Sequence, residues 1–141
     1  MRIKQLSVFI ENKTGRINDV TRILGDNGIN MHAFSLAETA DFGILRMIVS
    51  DVERAAQVLR EARFAVRQTD VVCFRCPNAP GALASVLDVL AREQIFIEYM
   101  YAFSEGETAH IVIRPTDVAK CIETLEKSSC QLISSRSLNS L

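Results

Sequence analysis

The apolar positions of this chain follow two alternating rhythms, and the whole series occurs twice. Leu6, Val8 and Ile10 recur with period two, which predicts a strand over Ile3 to Ile10. Ile17, Val20, Thr21 and Leu24 then fall at i, i+3, i+4 and i+7, one face of a helix with Thr21 its weakest member. Gly25, Asp26, Asn27 and Gly28 supply a stop signal. Ile29 to Leu36 alternates again, Thr39 to Gly43 reads as a turn, and Ile44 to Val49 is the expected hairpin partner. Ser50 and Glu53 match a capping box, in which hydroxyl and carboxylate satisfy the exposed amides of a helix start. Val52, Ala55, Ala56 and Leu59 give the second helical face, and Phe64 to Gln68 closes the unit as a short strand.

The series then restarts at once. Val72, Phe74 and Cys76 repeat the first strand, and Leu83, Val86, Leu87 and Leu90 the first helix. Ile95 to Phe103 and His110 to Arg114 repeat the hairpin. Val118, Cys121, Ile122 and Leu125 repeat the second helix, with Asp117 matching Asp51, and Cys130 and Leu132 mark a last strand. Counting from Asn12 to Asn78 gives the offset, 66 residues, and every pairing keeps it without a gap. Few residues are identical, but the burial pattern recurs, which is the mark of duplication. The boundary falls near Thr69, dividing the chain into 1–68 and 69–141, with no Gly- or Pro-rich linker. Ser134 to Leu141 reads as a frayed polar tail.

Each half runs strand, helix, strand, strand, helix, strand. Right-handed crossovers turn that order into an α+β unit, an antiparallel four-stranded sheet with both helices on one face, the ferredoxin-like βαββαβ plan. A half of ~65 residues is marginal alone, and its helix-free sheet face and edges invite a partner.

Both halves carry the same turn between first strand and first helix: Asn12-Lys13-Thr14-Gly15-Arg16-Ile17 and Asn78-Ala79-Pro80-Gly81-Ala82-Leu83. Gly allows the backbone to bend tightly, and the amides left free at a helix start form an anion site that suits a carboxylate. With Gly28-Ile29-Asn30 opening the second strand, these motifs resemble the ACT domain, and the likeness covers almost the whole chain as two tandem units. The resemblance implies a regulatory module that binds an amino acid where two ACT units meet. Asn12 and Asn30 match the two asparagines that contact ligand in serine-sensing members, and Gly15 and Gly81 match the turn glycine. Thr14 stands in the proline position, and Phe96 stands where Asn30 has its counterpart, so the second half departs from the pattern. The expected ligand-binding set is Asn12, Thr14, Gly15, Arg16, Asn30 and His32, with Asn78, Gly81 and Ala82 from the second turn. The amides of Gly15 and Arg16 are expected to hold the ligand carboxylate. The expected partners are a small amino acid, a regulated protein and a second copy of the chain; the alternative is an adaptor that binds protein and no small molecule.

Composition narrows the field further. With 48% hydrophobic and 23% charged residues in 141, the chain is of globular composition. A net charge of −1 and the absence of basic runs argue against nucleic acid and anionic membranes. No apolar run approaches the ~20 residues of a membrane span, and Met1-Arg2 leads into a strand pattern rather than a signal peptide. The expected location is therefore the cytoplasm, with four reduced cysteines. Cys73 and Cys76 spell C-x-x-C, but on a strand that spacing points the thiols to opposite faces, and Cys121 and Cys130 form no second pair. No metal and no cofactor is expected, and core and surface cysteines are the reading. His32 and His110 occupy unmatched positions and offer no catalytic constellation, so no enzyme is expected. Tyr99, Tyr101 and Phe103 form a stripe suited to packing rather than to stacking of RNA bases. Arg46 is expected either on the open sheet face or paired with an acid, Glu98 being one candidate.

Overall fold

In the computed structural model, which describes residues 1–39 and 41–139, the two rhythms become strands and helices in the expected order. The elements are β1 (Ile3–Glu11), α1 (Arg16–Asp26), β2 (Met31–Glu38), β3 (Phe42–Val49), α2 (Val52–Glu61) and β4 (Ala65–Pro77). They continue with α3 (Ala82–Arg92), β5 (Ile97–Glu105), β6 (Thr108–Pro115), α4 (Val118–Lys127) and α5 (Ser135–Asn139). The offset of 66 carries α1 onto α3, β3 onto β6 and α2 onto α4 at both ends. The described chain divides into two compact units, Lys4–Thr69 and Met1–Ile3 with residues 70–139.

In the first unit the strand order is β2-β3-β1-β4, with β1 and β2 antiparallel to β3. Leu6 lies opposite Met47 and Val8 opposite Leu45, so their side chains share the face beneath α1 and α2. That face is the core, where Leu6, Val8, Val20, Met47, Ala55 and Leu59 are all fully buried. In the second unit β4, β6 and β5 form the sheet, and Val72, Phe74, Leu90, Ile113, Cys121 and Leu125 are the matching core.

Three local expectations change. The capping box at Ser50 is not formed. Asp51 caps α2 instead, accepting from the Arg54 amide at 3.1 Å, while the Ser50 hydroxyl accepts from the Asn30 amide at 2.9 Å. Asp117 caps α4 in the same way. The strand expected at Cys130 and Leu132 reduces to a single antiparallel bridge between Leu132 and Phe74. The expected frayed tail is ordered through α5, because Leu138 supplies an apolar anchor that a polar-looking segment hides; it is 1% exposed and Ile133 2%. In that unit the helix-free sheet face is buried as well, at Cys73, Tyr101 and Val112. Ala40 of the expected turn and Ser140 and Leu141 of the expected tail lie outside the described residues.

Leu138 is the test of the C-terminal anchor. Truncating it to Ala should cost ~2–5 kcal/mol, read as a lower urea midpoint with an unchanged slope. A midpoint equal to that of the unaltered chain would mean that α5 contributes nothing to the fold.

Candidate functional site

The first turn is shaped by its glycine. Gly15 sits at φ 92°, a left-handed conformation costly for any residue with a Cβ, and occupies the N-cap of α1 without a side-chain cap. Gly81 repeats this at φ 82° ahead of α3. A side chain cannot cap from either position, so the first amides of both helices are not satisfied by a cap. One of the two amides expected to hold a carboxylate is already engaged, since Arg16 N–H donates to the Lys13 carbonyl at 3.3 Å. The Gly15 amide has no acceptor among the described residues.

Beside this turn lies a cavity of about 410 Å³, bounded by the end of β1, the turn, α1, the end of β2 and the start of β3. Ile10, Ile17 and Leu36 form its apolar wall, and Glu11, Asn12, Lys13, Thr14 and Glu38 its polar rim. The Asn12 side chain is oriented, because Nδ2 donates to the Thr39 carbonyl at 3.0 Å. Gly43 opens the space. A Cβ there would stand 3.2 Å from Leu36 Cδ1 and 3.6 Å from Asn12 Oδ1. Glu11 is held below the usual carboxylate range by the hydrogen bond and charge of Lys13, its ion-pair partner at 3.0 Å. Gly43, Leu36 and Ile17 were not among the expected site residues. The sequence pattern places Gly43 in the turn before the third strand, whereas it lies within β3 opposite Ile10, where a glycine marks close approach and the second half has Ala109.

The remaining expected residues are dispersed. Arg16 does not line the cavity; its guanidinium pairs with Asp19 at 3.2 Å and lies 4.6 Å over the Phe64 ring. Asn30 sits at the other end of the sheet, its backbone paired with Ser50, whereas Asn12 follows Glu11, the register partner of Phe42. The length of β3 separates them, about 23 Å at ~3.3 Å per residue. No single unit can therefore bring Asn12 and Asn30 onto one small ligand. His32 lies in a β2 irregularity and is half-buried, with Nε2 lacking a partner among the described residues. In the second half Asn78 is tied through its amide to the Glu107 carbonyl at 2.7 Å. Ala82 lines a different, apolar cavity of about 550 Å³ with Val86, Val89 and Leu125, and neither Asn78 nor Gly81 borders it.

The cysteines are structural. Cys73 and Cys76 are both buried, so the expected surface thiol is not found; Cys76 joins the core of its unit and Cys73 lies on the opposite face. Burial pushes the Cys73 thiol up to about 12 and Cys121 up to about 11. Among the described residues no group of three His, Cys, Asp or Glu side chains is placed to hold a metal. Nor, among them, is any helix long and apolar enough to cross a membrane. Glu98 pairs with Arg114 at 3.2 Å, which the register sets across from Tyr99, beside Glu98. Tyr101 is buried and Phe103 stacks on His110, which agrees with packing for the aromatic stripe.

Two tandem βαββαβ units, each with a glycine-capped strand-to-helix turn, define a pair of ACT domains. The family model described as an ACT domain pair matches residues 1–141, and the chain belongs to that family. No curated protein sequence matches it. A solved protein of Bacteroides thetaiotaomicron is similar over 100% of this chain and 98% of its own, with 50% identity and a TM-score of 0.96. The regulatory subunit of aspartate kinase from Thermus thermophilus, in ligand-free form, shares the fold at a TM-score of 0.64 and 12% identity, over 88% of this chain and 90% of its own. That from Thermus flavus does so at 0.63 and 12%, over 89% and 92%.

The thiols give this fold a defined alkaline limit. The unfolded chain ionises its cysteines near pH 9 while the folded chain keeps Cys73 protonated to about 12, so stability is full below pH 9 and falls as pH rises toward 12. Each such thiol adds a slope of about 1.4 kcal/mol per pH unit. Urea midpoints from about pH 8 to about pH 10.5 should therefore fall less steeply in Cys73→Ala than in the unaltered chain. Equal slopes would place the Cys73 thiol in a solvated setting.

Proposed function

We propose that this chain is a regulatory protein rather than an enzyme, and that it binds a small amino acid in the cavity at the Asn12 turn. The observation that carries the reading is that cavity, which sets an apolar wall against a rim bearing both signs of charge. Asn12 Oδ1 and Glu38 suit an ammonium group, Lys13 and Thr14 suit a carboxylate, and Ile10, Ile17 and Leu36 take a small side chain. Membership of the ACT pair family supports a regulatory role, and the fold is shared with regulatory subunits of aspartate kinase.

Asn30 enters the same reading only through a second chain. It lies a strand length from Asn12, and the second half carries Phe96 in its place, so a ligand that touches both asparagines takes them from two copies. Exposure at the cavity supports this arrangement: Ile17 is 39% exposed, Leu36 50% and nearby Phe34 62%. Such a patch is what a facing subunit covers. Binding then acts by linkage, favouring the paired arrangement to the extent that the ligand prefers it over the separate chains.

A thermal-shift screen of the common amino acids tests the reading. The bound one should add about 2.7 kcal/mol of stability at a hundredfold excess over its dissociation constant. Asn12→Ala and Asn30→Ala should each weaken it by ~1–3 kcal/mol and leave the ligand-free melting temperature nearly intact. Mixing the two variants is decisive for the shared site. A mixed dimer has one site with both asparagines, so binding should return at about a quarter of the sites. No recovery on mixing would confine the site to one chain, and no shift with any amino acid, confirmed by calorimetry, would replace the sensor by a protein-binding adaptor.

A further inference from the structure

The second unit carries a polar cluster with no counterpart in the first. Arg75, His110 and Phe103 lie on adjacent strands β4, β6 and β5, at the end of the sheet that carries the β5–β6 hairpin. At the offset of 66 the first unit has Phe9, Ile44 and Ala37. Where one copy has three apolar side chains, the other thus has a cation, an imidazole and an aromatic ring. A purely structural position does not call for this difference. His110 is 2% exposed, and its Nδ1 has no hydrogen-bond partner among the described residues, a cost that Ile44 does not carry.

The geometry turns the cluster into a mount for one guanidinium. The Phe103 ring stacks on the imidazole with centroids 4.6 Å apart and planes 4° from parallel. The held imidazole accepts at Nε2 from Arg75 Nε at 3.3 Å. Burial first, and then the Arg75 charge, push His110 below its ordinary range, which keeps it neutral and able to accept. With Nε engaged, the terminal amino groups of Arg75 remain, and among the described residues no carboxylate lies within ion-pair distance of them. Arg75 and His110 line a cavity of about 550 Å³ whose rim holds Glu105 and Glu107. A fixed guanidinium fork matches a carboxylate, and exposed acids at the rim match an ammonium while repelling a second acid.

We infer that this cavity is a second amino-acid site, separate from the Asn12 cavity, in which Arg75 receives the carboxylate and Glu105 and Glu107 face the ammonium. His110 is a positioning residue that aims the fork. The site does not depend on the reading of the first turn, because the two share no residue.

Nitrogen-15 NMR of the full chain tests it, following the Arg75 Nε–H and the His110 ring nitrogens during titration with each common amino acid in turn. At least one amino acid should shift both signals in the unaltered chain and equally in Asn12→Ala. In Arg75→Met, where only the His110 ring nitrogens remain to be followed, their shift should vanish, and in Arg75→Lys, which keeps the charge but not the fork, it should be only partly restored. Pyruvate, a carboxylate without an ammonium, should shift them less. Signals unmoved by every amino acid would overturn the site, and so would shifts that disappear in Asn12→Ala, since these would be transmitted from the first turn. Should Arg75→Met fail to fold, the comparison of the unaltered chain with Asn12→Ala still decides. Equal response to pyruvate would overturn the role given to Glu105 and Glu107.

Discussion

Each unit must bury one face of a small sheet under two helices, and this constraint governs the rest. Apolar burial is the dominant favourable term, and a unit of about 65 residues has little to spare. The helix-covered faces are therefore dry and apolar in both halves, from Leu6, Val8 and Met47 in one to Val72, Phe74 and Ile113 in the other. To return a helix over the sheet, the chain must reverse within four residues after β1, and a left-handed glycine does this at Gly15 and Gly81. The glycine turn is thus a consequence of packing, and the Gly15 amide, without an acceptor among the described residues, comes with the reversal.

What packing does not constrain has diverged between the copies. On the edge strand β2, Phe34 and Leu36 lie opposite Met47 and Leu45 on the core side, yet both are exposed. At the equivalent places the second unit has Met100 and Ala102. Gly43 leaves room next to Asn12 that Ala109 takes away in the second copy. The second copy carries Arg75 and His110 on the helix-free side, where the first has Phe9 and Ile44. One scaffold thus offers two different concave surfaces, one beside the turn and one beside the hairpin.

The fold was legible because its signal is periodic. Period-two and i, i+3, i+4 patterns need only local side-chain direction, and here both copies gave the same reading. Errors fell where one residue decides. Asp51 outcompetes Ser50 as cap because Ser50 is drawn to the Asn30 amide, a contact 20 residues apart that no local pattern reveals. Leu138 stands alone among polar neighbours, and an isolated apolar residue sets up no period. The candidate cavity was half legible. The turn motif picked out Asn12 and Thr14, which line the candidate cavity, but Arg16 turns to Asp19 and Phe64, and Asn30 lies just before β2 at the far end of the sheet. Motif spacing measures distance along the chain, and a strand of eight residues separates in space what a motif lists together.

The most direct measurement is a crystal structure grown with the amino acid that raises the melting temperature furthest. That molecule should lie between Asn12, Leu36 and Gly43, with its ammonium toward Asn12 Oδ1 and Asn30 of a second chain within reach. A cavity left empty there, wherever else on the chain the amino acid is bound, would contradict the proposed site.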